Sequence, residues 1–192
     1  MWFMPTHRES VGLRNIKRAL LVAVVLLLFT QYRSDFAMGQ GKEPAQVFRP
    51  ALEQIQSQTR IPILLPSTLP SAIPERGIKS ASGEVREDGY FISLYFSDEG
   101  SNAAFAAGFS GSTRIFGLQD LPNTHRVALS GGRIGMFRPV SCGGSCAPAN
   151  LWWEQNGVMY QIQIKLGSGS AEKGQEKILV ETANSMVTAR RE

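Results

Sequence analysis

The chain has 192 residues, with 20 Lys and Arg against 16 Asp and Glu, and a formal net charge of +4. Residues 1–39 hold five of the cations (Arg8, Arg14, Lys17, Arg18, Arg33) against two acids (Glu9, Asp35), a net of +3, so the remainder carries only +1. A nucleic-acid partner requires Lys and Arg clustered on the folded domain. Here they are scattered, which sets that class aside.

The first 39 residues read as an export signal. The cations up to Arg18 form a basic start, and residues 19–30 (A-L-L-V-A-V-V-L-L-L-F-T) make an uncharged apolar run of 12 residues. A helix needs roughly 20 to span a bilayer, so the run suits a signal peptide. Ala37 and Gly39 are small residues at spacing two, which places cleavage after Gly39. An uncleaved anchor is the alternative, since Arg33 and Asp35 stand just before that site. No cysteine follows the run, which argues against a lipid-anchored lipoprotein. Residues 40–192 then make a single domain, of a size able to bury most of its apolar surface.

A helix is predicted over residues 46–59, where Val47, Ala51 and Ile55, with Phe48 and Leu52, form one apolar stripe after Pro44. Residues 61–65 are apolar and extended, but Pro62, Pro66, Pro70 and Pro74 restrict them to an edge strand or an irregular crossing. Three dipeptides suited to two-residue hairpin turns follow: Asp88-Gly89, Gly131-Gly132 and Asn156-Gly157. The first sets Val85 opposite Ile92, Gly83 opposite Leu94 and Ala81 opposite Phe96, with Arg86, Phe91, Glu84, Ser93, Ser82 and Tyr95 on the other face. The second sets Leu129 opposite Ile134 and Val127 opposite Met136, with Arg126 and Phe137 on the reverse face. The third sets Trp153 opposite Tyr160 and Leu151 opposite Ile162. Its reverse face carries Trp152 with Gln161, Glu154 with Met159 and Asn150 with Gln163, so Trp153 belongs to the core and Trp152 does not. Between the first two turns, residues 103–110 fit a strand with Phe105 and Phe109 on a large face and Ala104, Ala106 and Gly108 on a small one, although the alanines also suit a helix. A last helix is predicted over residues 171–189, with Leu179, Ala183, Met186 and Val187 as its stripe and Ile178 beside it. Ser170 caps its start and Arg190 and Arg191 suit its end.

Six to seven short antiparallel strands with an N-terminal and a C-terminal helix define an α+β fold, with the sheet packed on one face by the C-terminal helix. A half-barrel or small closed barrel is the alternative. The pattern Trp153-x-x-x-Gly157-x-x-Tyr160, then a strand, then a helix with Ala183-Asn184-Ser185-Met186, resembles the end of extracytoplasmic bacterial domains. These are of the anti-sigma-factor-like and lipoprotein-carrier-like kind. The segment Leu65-Pro66-Ser67-Thr68-Leu69-Pro70 is similar to the proline-leucine segment near their start. The resemblance implies a periplasmic or surface-exposed α+β module and no catalytic residues.

Cys142-Gly143-Gly144-Ser145-Cys146 admits three readings. A structural disulfide is preferred, given export and an even cysteine count. A redox-active pair and a copper(I) or zinc site, with His125 as third ligand, are the others. Asp120, His125 and Ser130 or Ser141 are of the types of a hydrolase triad, but no G-x-S-x-G elbow accompanies them and such residues co-occur by chance in most domains. Nor is there an H-E-x-x-H, a phosphate-binding loop, a dinucleotide fingerprint or an EF-hand. Asp98-Glu99 reads as a solvated pair at a turn.

The remaining candidate site is the outer sheet face, where Phe91, Tyr95 and Trp152 would form an aromatic surface if their strands are neighbours. The plainer expectation is that the N-terminal helix covers them. The sequence therefore points to an exported, non-enzymatic binding module without a cofactor, its partner a protein, lipid or glycan of the bacterial envelope. Membrane contact comes only through the N-terminal segment. Thiol-redox or copper handling at Cys142 and Cys146 is the alternative.

Overall fold

The computed structural model describes residues 42–115, 117, 122–143, 145–167 and 171–189. Residues 1–39, expected to act in export, and Asp120, Ser170, Arg190 and Arg191 lie outside the described residues.

A tight turn at Gln46–Phe48 leads into helix α1 (Arg49–Ile55), which has Pro50 in its first turn and buries Phe48, Ala51 and Ile55. The predicted stripe is therefore the packed one, though the helix ends earlier than residue 59. Strand β1 (Leu64–Pro66) crosses next, followed by β2 (Ser80–Arg86), β3 (Gly89–Tyr95) and β4 (Phe105–Ser112). Then come β5 (His125–Ala128), β6 (Ile134–Arg138), the short pair β7 (Ser141–Cys142) and β8 (Cys146–Ala147), and the long hairpin β9 (Ala149–Gln155) and β10 (Val158–Ile164). Helix α2 (Glu172–Asn184) and strand β11 (Met186–Thr188) close the chain. Seven strands form one antiparallel sheet in the order β2-β3-β4-β10-β9-β6-β5. Its edges β2 and β5 do not pair with each other, so the fold is α+β with an open sheet rather than a closed barrel.

The third hairpin has the expected register residue for residue, with Trp153 opposite Tyr160 and Leu151 opposite Ile162. Asn156 and Gly157 take the positive φ angles, 54° and 73°, that such a turn demands. The first hairpin differs by two residues. Its turn is Glu87-Asp88, so Val85 lies opposite Tyr90 and Gly83 opposite Ile92. Asp88 is held in the turn because its carbonyl accepts the Thr113 N–H at 2.8 Å, and Gly89 starts the strand. A shift of two preserves the faces, because side chains alternate with period two. Phe96, expected in the core, is instead 41% exposed, beyond a bulge after Leu94.

The second hairpin is shifted by one residue, and this inverts β6. Val127 faces Gly135, Arg126 faces Met136 and His125 faces Phe137. Phe137 is fully buried, while Ile134 is 47% exposed. The cause is tertiary. The Ser130 N–H donates to Asn184 Oδ1 at 2.8 Å, and Arg133 donates to the Ser130 carbonyl, the Ser130 hydroxyl and Gln155 Oε1. These bonds hold residues 129–133 as a five-residue loop, an odd length where a two-residue turn was expected.

The last helix also ends early. Met186–Thr188 leave it and pair antiparallel with Leu64–Pro66. The β-branched Val187 and Thr188 favour the extended form once β1 supplies partners. Residue 66 being a proline is tolerated because this ribbon has only two strands.

One row of side chains crosses the whole inner face. Gly83, Ile92 and Phe109 continue into Ile162, Leu151 and Phe137, and the row ends at His125. At its β2 end α1 sits directly on Gly83, where a Cβ would lie 2.6 Å from Ile55 Cγ2 and 2.7 Å from the Ala51 carbonyl oxygen. Only glycine admits the helix at that distance. In the middle, the Leu64 N–H donates to the Tyr90 hydroxyl at 3.0 Å and the Tyr160 hydroxyl donates to the Pro62 carbonyl at 3.1 Å. These bonds seat the crossing segment on the sheet. Toward the β5 end, Leu179 and Ala183 of α2 join the same core. Both helices and the ribbon thus pack on one face.

Candidate binding groove on the outer sheet face

The opposite face carries a second row: Glu84, Phe91, Ser110, Gln161, Trp152, Met136 and Arg126, one from each strand. The expectation that the N-terminal helix covers this face is overturned. Its apolar stripe is spent on Gly83 and the inner core.

The three aromatic residues expected here do not form one patch. Phe91 and Trp152 lie on β3 and β9 with β4 and β10 between them. At about 4.8 Å per strand their backbones are roughly 14 Å apart. Trp152 is also not a surface residue. It is 4% exposed, and the Arg138 guanidinium lies 4.9 Å from its ring centroid. Trp152, Met136 and Met159 are buried on this face without belonging to the main core. Trp153 is fully buried in the main core, stacked on Tyr160 with centroids 5.6 Å apart. Its indole N–H has no hydrogen-bond partner among the described residues.

Phe91 and Tyr95 are half-buried on the outer face, and a third ring joins them. Phe105 was expected beside Phe109 on the large face of its strand. The bulge pairs Leu94 with Ala107 and Tyr95 with Phe105, leaving Ala106 unpaired, and so turns Phe105 outward. Tyr95 and Phe105 meet edge to face at 6.1 Å. Phe91 and Phe105 both lean over Gly108, where a Cβ would lie 2.7 Å from Phe91 Cζ and 3.2 Å from Phe105 Cζ. The Arg86 guanidinium lies 5.8 Å from the Phe91 centroid. The small face of β4 thus lets aromatic rings from its own sheet lie down.

Next to this wall is a groove of about 390 Å³ lined by Arg86, Asp88, Phe91, Ser110, Ser112, Gln161 and Gln163. Several of its polar groups are committed. Arg86 pairs with Glu84 at 3.2 Å, the Ser112 hydroxyl donates to Asp88 Oδ2 at 3.3 Å, and Gln161 Nε2 donates to Asn150 Oδ1 at 2.7 Å. Among the described residues, the Ser110 hydroxyl and the Gln163 amide make no hydrogen bond. No sequence motif marks Arg86, Gln163 or Phe105. Hairpin alternation alone places the first two on this face, and the third depends on the bulge.

The other candidates are dispersed. His125 Nε2 lies 2.8 Å from Glu176 and Nδ1 lies 3.8 Å from Glu172, so the imidazole bridges β5 to α2. Ser130 is bound to Arg133 and Asn184 at the far end of that strand. No hydrogen bond joins His125 to Ser130 or Ser141 among the described residues. Cys142 and Cys146 form a disulfide with an S–S distance of 2.07 Å, closing the β7–β8 hairpin, and both are exposed. No three His, Cys, Asp or Glu side chains gather as a metal cluster among the described residues.

Perturbed titrations also mark architecture. Burial pushes the Tyr90 phenol well above its ordinary range and Tyr160 up to about 12. Burial lowers Arg133, which closes the β5–β6 loop. All three serve the inner face or its turns. No described helix is long and apolar enough to cross a membrane. Comparison of the chain with protein-family models, curated proteins and solved structures finds no match.

Proposed function

We propose that the chain is an exported, non-enzymatic binding module of the bacterial envelope or cell surface, and that it engages its partner through the outer face of its sheet. The observation that carries this reading is the groove between Phe91 and the Gln161–Gln163 side of β10, on the face left free by both helices. The basic start and apolar run of residues 1–39 support export, as does an oxidised cysteine pair, which persists outside the reducing cytoplasm. The partner is a protein, lipid or glycan of the envelope, and the resemblance to extracytoplasmic bacterial domains points to the same compartment. Two measurements test the reading. Residues 1–39 fused to a reporter active only after export give signal outside the cytoplasm. The full chain with Phe91→Ala and Phe105→Ala is retained less by isolated envelopes than the unaltered chain, at equal folded content. A reporter that stays inside, or equal retention of both chains, contradicts it.

A second reading, thiol-disulfide exchange or copper handling at Cys142 and Cys146, is favoured by the exposure of both residues. Thiol titration across graded reductants, with a copper(I) competition, separates the two. A bridge that resists mild reductant and a chain that takes up no copper remove this alternative.

A further inference from the structure

We propose that the outer-face groove binds a neutral oligosaccharide. This rests on the reading of that face as the binding surface and adds the class of ligand. Charge is the first consideration. The two charged residues of the lining, Arg86 and Asp88, are opposite in sign, and each is already engaged, Arg86 by Glu84 and Asp88 by the Ser112 hydroxyl. An anionic polymer or a cation meets no uncommitted counter-charge in the groove.

The polar groups left to a ligand have a particular chemistry. Among the described residues, the Ser110 hydroxyl and the Gln163 amide make no hydrogen bond, and Gln161 keeps its Oε1 after donating from Nε2. A hydroxyl and a primary amide each donate and accept, as every sugar hydroxyl does, so either partner satisfies the other in more than one orientation. Gln161 and Gln163 are two residues apart on one face of β10, about 7 Å along the strand. They therefore reach different hydroxyls of an extended ligand. Gln161 is oriented by Asn150, whose Nδ2 donates to the Pro148 carbonyl at 2.7 Å, so its acceptor is fixed before a ligand arrives.

The facing wall supplies the other half of sugar recognition. A pyranose ring has an apolar C–H face, which packs against an aromatic ring. Phe91 rests its ring end on Gly108 with Arg86 5.8 Å from its centroid, which limits its rotation and the entropy lost on binding. A volume of about 390 Å³ lies in the range of small-ligand sites, roughly 300–1,000 Å³. An acyl chain would bury the Ser110 hydroxyl and Gln163 amide without hydrogen-bond partners. The floor therefore selects against lipid.

The test uses the full oxidised chain, titrated by calorimetry with chitohexaose, cellohexaose and maltohexaose. Decaproline and phosphatidylglycerol–phosphatidylcholine vesicles are the comparison arms. At least one hexaose binds. Phe91→Ala and Gln163→Leu each weaken it by about tenfold, the size of one lost interaction, while Ser82→Ala, on the same face outside the groove, binds as the unaltered chain. Ser110→Ala gives a second polar variant should Gln163→Leu lower the folded fraction. No binding by any hexaose, or binding indifferent to these groove variants, overturns the proposal. If decaproline or vesicles bind in a Phe91-dependent way and the hexaoses do not, the ligand class is wrong while the outer-face reading stands. Loss of both hexaose binding and groove-dependent envelope retention removes the two together.

Discussion

Phe109 and Ser110 are neighbours in β4 and project to opposite faces of the sheet. Phe109 is fully buried, edge to face with Phe48 at 5.1 Å, in a row that α1, the ribbon and α2 all cover. Ser110 lies in a groove, and its hydroxyl makes no hydrogen bond among the described residues. The inner row spends its side chains on the fold, down to a glycine at Gly83 that admits a helix. The outer row keeps part of its hydrogen-bonding capacity and holds its aromatic rings on glycine rather than under a helix.

Substitution on the inner row gives the largest effect. Trp153→Ala destabilises by about 3–5 kcal/mol in a denaturant titration, because it empties the stack on Tyr160 at the centre of the core. Alkali attacks the same face. Tyr90 and Tyr160 have folded pKa values above the unfolded value of about 10. The native state therefore holds protons that the unfolded chain has released. Stability is intact below about pH 10 and is lost as pH rises toward the folded values. Denaturation midpoints followed from pH 8 to 11 should fall only over the upper part of that range, and Tyr160→Phe should flatten the fall. Gly83→Val is next, at about 1–3 kcal/mol, since its side chain meets Ile55 and the Ala51 carbonyl.

Smaller effects belong to the periphery. Cys142→Ser with Cys146→Ser lowers stability by no more than about 2 kcal/mol, because so short a loop constrains the unfolded chain little. Ser82→Ala on the outer face stays within about 0.5 kcal/mol. A large loss at Ser82 would mean that the outer face is packed like the inner one and would break the comparison.

How much of this was legible beforehand depended on where each register is decided. At Asn156-Gly157 the turn decides it alone, and the pairing came out residue for residue. At Asp88 the error was two residues, which alternation forgives, so Phe91 and Tyr95 were placed on the correct face. At Gly131-Gly132 the register is set by Asn184 and Gln155, distant residues that hold Ser130 and Arg133, and a one-residue error exchanged Met136 with Phe137. The strand at Met186–Thr188 needed β1 as a partner, so its own pattern read as helix. The candidate site was half legible for the same reason. Phe91 and the glutamines of β10 follow from hairpins, whereas Phe105 faces outward only because of a bulge, and the distance from Phe91 to Trp152 depends on strand order. Neither is written in local sequence.

The most direct test of the two-faced sheet is oxidative footprinting of the native full chain, read residue by residue. Phe91, Tyr95 and Phe105 should be modified readily, while Phe109, Phe137 and Trp153 stay protected until the chain unfolds. Equal protection of both sets would mean that the outer face is covered in the folded protein, and would contradict the account.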